Sequence, residues 1–290
     1  RAALDAAEQR GWERAYAVHS AAWKAFWLRS LLETGHDYLD NLWHLNTYYA
    51  KSSQGGRYPG RFIHGLWGWS RDAQPWTFYF HWNQQQIYWP LNAAGHHDLI
   101  ASYLRYRFDA LPHNRQDAAE LFGAQGAFVS DVAERRGYNS VGEKDNHTPV
   151  AQIALDFWRQ YLYTGDRRFL RERALPYLLE AATFFESLLE PDEQGVYHAR
   201  RGAGYEGWIP LHDAITELIY ARVLLGTARK ALDEAGLDHP RAAHWGEIIE
   251  HLAPLPVARP DDCFTAGEDG VRLKRGMFRG QRVPGDRILA

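Results

Sequence analysis

Apolar residues recur at helical spacing along most of this chain. The clearest case is 148–163, where Val150, Ile153, Ala154, Phe157, Trp158 and Tyr161 follow the i, i+3, i+4, i+7, i+8, i+11 pattern of a core-facing helix. The same period predicts a long or broken helix over 2–33, with Gly11 as the interruption and Gly35 as the stop, and another over 37–51. Helical patterning returns at about 83–108 and 114–123. Thr164-Gly165-Asp166 reads as a turn, and a helix opens at Arg167. Pro176 suits a first helical turn or a kink, after which the pattern runs through Phe184 and Phe185 to about Leu189. Asp192 to Gly195 reads as a tight turn into a short strand around Val196-Tyr197; helices over 213–235 and 239–252 follow, and 254–290 is a loop-rich tail.

These elements make about eight helices in αα-hairpins, without the strand–helix alternation of a parallel sheet. The expected fold class is all-α. Long functional loops between antiparallel hairpins fit an (α/α) toroid better than a compact bundle, whose connections are short. Residues 1–290 are expected to form one partial domain, because the chain opens on Arg1 and stops soon after Arg279-Gly-Gln-Arg-Val-Pro-Gly-Asp without a closing helix.

Composition sharpens this picture. Hydrophobic residues make up 46% and charged residues 24%, enough for a sizeable core and too ordered for a disordered segment. A formal charge of −3 gives no basic footprint, so nucleic acid is not an expected partner. No apolar stretch is long enough to cross a membrane. The lone cysteine, Cys263, excludes an internal disulfide framework and a Cys-based zinc site. Fourteen histidines show no HExxH or other ligand spacing, so no metal or cofactor is expected; His96-His97 is taken as solvated or capping. The excess is aromatic: twelve Trp, 16 Tyr and 13 Phe, of which the Trp count is several times the usual share. Many of these rings hold helices together, yet indole also offers a flat platform for the C–H face of a sugar, and the excess as a whole favours a carbohydrate groove. Gly55, Gly56, Gly60, Gly65 and Gly68 interleave with Trp67, Trp69 and Trp76 in a long segment that ends near His81-Trp-Asn-Gln-Gln, poor core sequence but good ligand-contact sequence.

Four segments carry a resemblance. They are Leu42-Trp-His-Leu-Asn-Thr-Tyr-Tyr-Ala-Lys-Ser-Ser with Pro59 and Gly65-Leu-Trp67; Phe80-His-Trp-Asn-Gln-Gln-Gln-Ile-Tyr-Trp-Pro90; Thr148 through Phe185; and Leu211-His-Asp-Ala-Ile-Thr-Glu-Leu. In this order and spacing the chain resembles the family 95 glycoside hydrolases, the α-L-fucosidase and α-L-galactosidase group of the six-hairpin glycosidase superfamily. The resemblance implies an (α/α)6 toroid, an inverting exo-acting glycosidase, a carbohydrate substrate, and a secreted or periplasmic setting. Of the two family asparagines that orient the attacking water, Asn83 matches the second and His81 stands in the place of the first. The acid-bearing Ser-Pro-Glu-Asn is absent, and the carboxylate in register is Glu206 within Gly204-Tyr-Glu-Gly-Trp208. The resemblance implies that the family's distal catalytic Asp would fall beyond Ala290.

Inverting cleavage needs a carboxylic acid to protonate the leaving oxygen and a base to activate water on the opposite face. Burial against aromatics raises an acid's pKa, and Glu206 between Tyr205 and Trp208 suits that role, the alternative being a solvated loop residue. Asp213 is either a second acid candidate or a residue at a helix start. An amide such as Asn83 orients water but takes no proton. His81, Gln84, Gln85 and His147 are candidates for sugar hydroxyls or for packing, and Trp67, Trp82, Trp89 and Trp208 for stacking, with Trp89 the one that best suits the core. A capped helix start at Asn146 and Thr148 accounts for the polar cluster before 148. Other six-hairpin activities stay open (α-L-rhamnosidase, phosphorylase or lyase), as does a non-catalytic sugar-binding domain. A prenyl-type synthase is disfavoured by the absence of an Asp-rich motif.

Overall fold

In the computed structural model, residues 1–54, 56, 58–60, 81–134, 136–140, 144–204, 210–256, 264–267 and 270–273 are described. The N-terminal periodic stretch divides at Gly11 into α1 (Ala2–Arg10) and α2 (Trp12–Trp27). α2 ends short of the expected residue 33, since Leu28 and Leu31 lie exposed and a longer helix would bury nothing with them. α3 (Asp37–Ser53) meets α2 through the stacked rings of Trp23 and Tyr48, 5.1 Å apart. Where one helix was expected over 83–108 there are two, α4 (Trp82–Ala93) and α5 (His97–Asp109). The chain reverses at Gly95, and Tyr88 then stacks on Tyr103 at 4.5 Å. α6 (Leu111–Phe122) begins earlier than expected, with Pro112 in its first turn.

α7 (Thr148–Thr164) is the helix that the clearest period predicted, and it closes at Gly165. Asp166 then caps α8 (Arg167–Phe169) by accepting the backbone N–H groups of Arg168 and Phe169. A π-helical turn (Leu170–Ala174) precedes α9 (Leu175–Ser187), which carries Pro176 in its first turn. The wider turn accommodates a residue that has no N–H to give and whose ring crowds the preceding turn. β1 (Leu189–Pro191) pairs antiparallel with β2 (Tyr197–Ala199), with Glu190 opposite His198. α10 (Ile215–Ala235) and α11 (Ala242–Glu250) complete the helices, and the tail holds a small antiparallel pair, β3 (Phe264–Gly267) and β4 (Gly270–Leu273).

The expected all-α architecture of helical hairpins is therefore present. Short connections at 94–96, 165–166 and 236–241 make α4 and α5, α7 and α8–α9, and α10 and α11 antiparallel neighbours. The core lies where α7, α9 and α10 meet: Val150, Ile153, Ala154, Phe157, Leu178, Phe184, Leu218, Ala221, Leu224 and Leu225 are fully buried. Each such large side chain contributes about 1.5–3 kcal/mol by leaving water. Among the described residues, no helix is long and apolar enough to cross a membrane.

Two local expectations are corrected. His96 stands at the cap position of α5, though without a side-chain cap bond, and is fully buried rather than solvated, stacked on Phe26 at 4.3 Å with Arg29 at 2.7 Å from its Nδ1. The start of α7 carries no side-chain cap from Asn146; instead Thr148 donates its hydroxyl to Asn146 Oδ1, and His147 occupies the cap position.

Candidate active site

The N-terminal ends of α4, α7 and α10 come together. His81 occupies the cap position of α4 and places its Nε2 2.8 Å from Gln152 Oε1, one turn into α7. Gln152 Nε2 in turn donates to the Tyr220 hydroxyl on α10 at 2.7 Å. Because an amide oxygen only accepts, His81 carries its proton on Nε2 and keeps Nδ1 as an acceptor. Burial first, and then the Arg107 guanidinium, push the His81 pKa down to about 4, with the Gln152 bond opposing them. The imidazole is neutral at ordinary pH. Asn83 is half-buried beside it, and its amide has no hydrogen-bond partner among the described residues; Trp82 is exposed at 47%.

The two glutamines that follow face inward. Gln84 and Gln85 have no exposed surface. Gln84 Nε2 donates to the Gly60 carbonyl at 2.7 Å, and Gln85 Nε2 to Asp156 Oδ2 at 2.8 Å. Substrate contact was one expectation for them; the structure buries both, with each Nε2 in a packing hydrogen bond. Asp156 is a buried hub on α7, which also accepts from Trp89 Nε1 at 2.9 Å, Tyr103 OH at 3.0 Å and Arg159. Burial raises its pKa against these donors. The half-buried indole of Trp89 is thus tied to the core, as expected.

One turn of α10 before Tyr220, Glu217 is 2% exposed. Its Oε1 accepts the Ala203 N–H at 3.4 Å and lies 3.5 Å from Nδ1 of His147, which is also buried, against Phe122 and Phe184. His147 therefore sits under the site rather than open to it. Gly202 packs so tightly on Glu217 that a Cβ there would fall 2.2 Å from Glu217 Cγ. Around this point the chain forms a closed base for the loop that follows: Leu211 N–H donates to Gly202 O at 2.9 Å, and Thr216 Oγ1 to Ala203 O. Arg201 grips Asp145 through two 2.9 Å bonds, and that grip holds the Asp145 carboxyl below its ordinary pKa.

Glu206 and Trp208 belong to this loop and, with Trp67, lie outside the described residues. Asp213, just past the loop, adopts a left-handed φ of 50°. Its Oδ1 accepts the Ala199 N–H at 2.9 Å and its Oδ2 lies 2.7 Å from His198 Nδ1. It does not cap α10, whose cap position is Ala214 and has no side-chain bond. Sequence reasoning singled out His81, Asn83 and His147 but passed over Gln152, Glu217 and Tyr220. The available signal was a set of polar residues set among apolar helical positions at the starts of α7 and α10.

Residues 39–258 of this array of helical hairpins match the glycosyl hydrolase family 95 catalytic domain, and the chain is a member of that family. It is 25% identical over 206 residues to a kojibiose hydrolase of Flavobacterium johnsoniae, covering 66% of this chain and 28% of that protein. It is 24% identical to a nigerose phosphorylase of Lachnoclostridium phytofermentans, covering 63% and 26%. A solved structure of a putative kojibiose phosphorylase from the human microbiome aligns over 56% of this chain and 25% of its own, with a TM-score of 0.43 and 17% identity. The chain thus spans about a quarter of the length of these relatives.

Proposed function

We propose that this chain carries the acid-bearing part of the active site of an enzyme that cleaves the glycosidic bond of a disaccharide, with Glu206 as the general acid. The observation that supports this is the shared end of α7 and α10. Gln152 and Tyr220 link it to His81 beside Asn83, and Glu217 and His147 brace the base of the Glu206 loop. Both halves of the site thus grow from neighbouring helix starts. Glu206 protonates the leaving oxygen, the Asn83 amide orients the nucleophile, and neutral His81 accepts a sugar hydroxyl at Nδ1. Trp67, Trp82 and Trp208 supply flat faces for the sugar rings. The Asp213 carboxylate is already engaged on both oxygens, which makes it the poorer acid. The names of the relatives move the substrate from an L-fucoside towards kojibiose-like or nigerose-like disaccharides.

Water as the nucleophile gives an inverting hydrolase that acts exo on its glycan. A second reading replaces water with phosphate, and the phosphorylase relative favours it. One experiment separates them: kojibiose and nigerose are incubated with the full-length enzyme with and without inorganic phosphate. Free monosaccharide without phosphate identifies hydrolysis, and the anomer released first reports inversion. A sugar phosphate formed only when phosphate is present identifies phosphorolysis. Binding of either sugar with no turnover in both arms would leave a non-catalytic carbohydrate-binding domain.

A further inference from the structure

At the foot of the Glu206 loop, His198 from β2 and the pair His212-Asp213 bring three donor groups to one point. Their ligand atoms all lie within 4.8 Å of one another. Asp213 Oδ2 stands between the two imidazoles, 2.7 Å from His198 Nδ1 and 3.2 Å from His212 Nδ1. The surroundings orient these groups from behind. Asp192 Oδ2 faces the other nitrogen of His198, Nε2, at 3.2 Å, and Asp213 Oδ1 is fixed by the Ala199 N–H.

This arrangement has a chemical consequence. Without an ion, a proton bridges His198 Nδ1 and Asp213 Oδ2; a divalent cation would displace that proton and be held by the same two atoms, while Asp192 keeps its hold on Nε2. A carboxylate behind a histidine is also how protein metal sites fix the tautomer of a ligating imidazole. Two imidazoles and one carboxylate suit zinc and its neighbours, and leave a position open for water. Arg200 lies 3.3 Å from His212 Nε2, and its alternative partner Glu190 is also at 3.3 Å; both side chains are exposed, so the arginine can give way.

We propose that His198, His212 and Asp213 form a binding site for a divalent cation of the zinc class, with Asp192 orienting His198. The bound ion ties β2 to the segment before α10, and so pins both ends of the loop that carries Glu206. The site stands on its own residues and does not depend on which nucleophile the enzyme uses. The sequence hid it, because the ligands are separated by fourteen residues rather than by one helical turn.

The test is zinc uptake by chelator-treated, tag-free protein in competition with a chromophoric chelator. One equivalent is expected to bind, Co²⁺ at the same site should give visible ligand-field bands, and zinc should raise the thermal midpoint by mass action. His198→Gln and His212→Gln should each weaken uptake by about tenfold or more, and Asp192→Asn by less. His212 is half exposed, so its replacement leaves the fold intact and decides the matter even if another variant fails to fold. The proposal is overturned by the lack of a saturable one-equivalent site. Uptake that His212→Gln and His198→Gln leave unchanged overturns it equally.

Discussion

The Asp156 carboxylate accepts the Nε2–H of Gln85 at 2.8 Å, and through this buried bond α4 is held against α7. The same carboxylate takes the Trp89 indole and the Tyr103 hydroxyl. One acidic group therefore fixes the rotation of the helix that presents His81 and Asn83.

Truncating it should be costly. Asp156→Ala leaves three buried donors without an acceptor, and removing one side of a buried charged cluster costs about 3–5 kcal/mol. Asp156→Asn keeps the shape and one good acceptor and should cost less than half as much. Equilibrium unfolding in urea measures both. An alanine variant within about 1 kcal/mol of the parent would show that the hub does not hold the helices together.

His81 gives a pH prediction. Its folded pKa is about 4, below the 6.5 of an unfolded histidine, so the unfolded chain takes up a proton first as pH falls. Its contribution to stability is intact above pH 6.5, is lost progressively between about 6.5 and 4, and then levels off. The loss amounts to at most about 3 kcal/mol for a shift of this size. His81→Gln should remove that slope from the pH dependence of unfolding free energy. A slope unchanged in the variant would mean that the folded protein protonates His81 freely.

The helices were legible because burial on one face writes a period into the sequence, as at Val150, Ile153 and Phe157. Their ends were less so. The break at Gly95 is a single glycine within continuous apolar patterning, and the π turn at Leu170–Ala174 answers a local clash that no period records. The site was legible in part. His81 and Asn83 stood out as polar residues amid tryptophans, whereas Gln84 and Gln85 share that composition yet are fully buried; Gln85 packs on α7 one turn on from His81, and composition does not record depth. Glu217 and Gln152 contribute through partners more than sixty residues away in the case of Gln152 with Tyr220 and His81, a distance that spacing cannot read.

Gly126 is expected to tolerate no side chain. It has a φ of +85°, and a Cβ would lie 2.4 Å from both Glu180 O and Phe184 N, backbone atoms of α9 that cannot step aside. Strain and overpacking together should cost Gly126→Ala about 3 kcal/mol or more. Gly11→Ala also has a positive φ but meets nothing within 4 Å, so it should lose only the backbone strain, about 1–2 kcal/mol. Thermal or urea unfolding of the two variants side by side checks the contrast, and equal losses would contradict it.

The last prediction concerns the proposed acid, Glu206. The segment that contains it is flanked by the Gly202–Leu211 bond and by the contacts of Glu217, Thr216 and the Arg201–Asp145 pair. A rigid base holds a proton donor at one distance from the leaving oxygen, and that distance is what general acid catalysis requires. Glu206→Gln keeps the side chain's size but removes its acidic proton. In the full-length enzyme it should lower kcat on disaccharides by about 10²–10⁴-fold. The loss should shrink on aryl glycosides with good leaving groups, which depart with little protonation. Stability should stay within about 0.5 kcal/mol, since Gln keeps the size and shape of Glu. The leaving-group dependence separates this role from a merely structural one, since a misfolded loop would slow both substrate types alike. Near-normal turnover of disaccharides by Glu206→Gln would remove Glu206 as the acid, and Asp213→Asn would then be the next variant to assay.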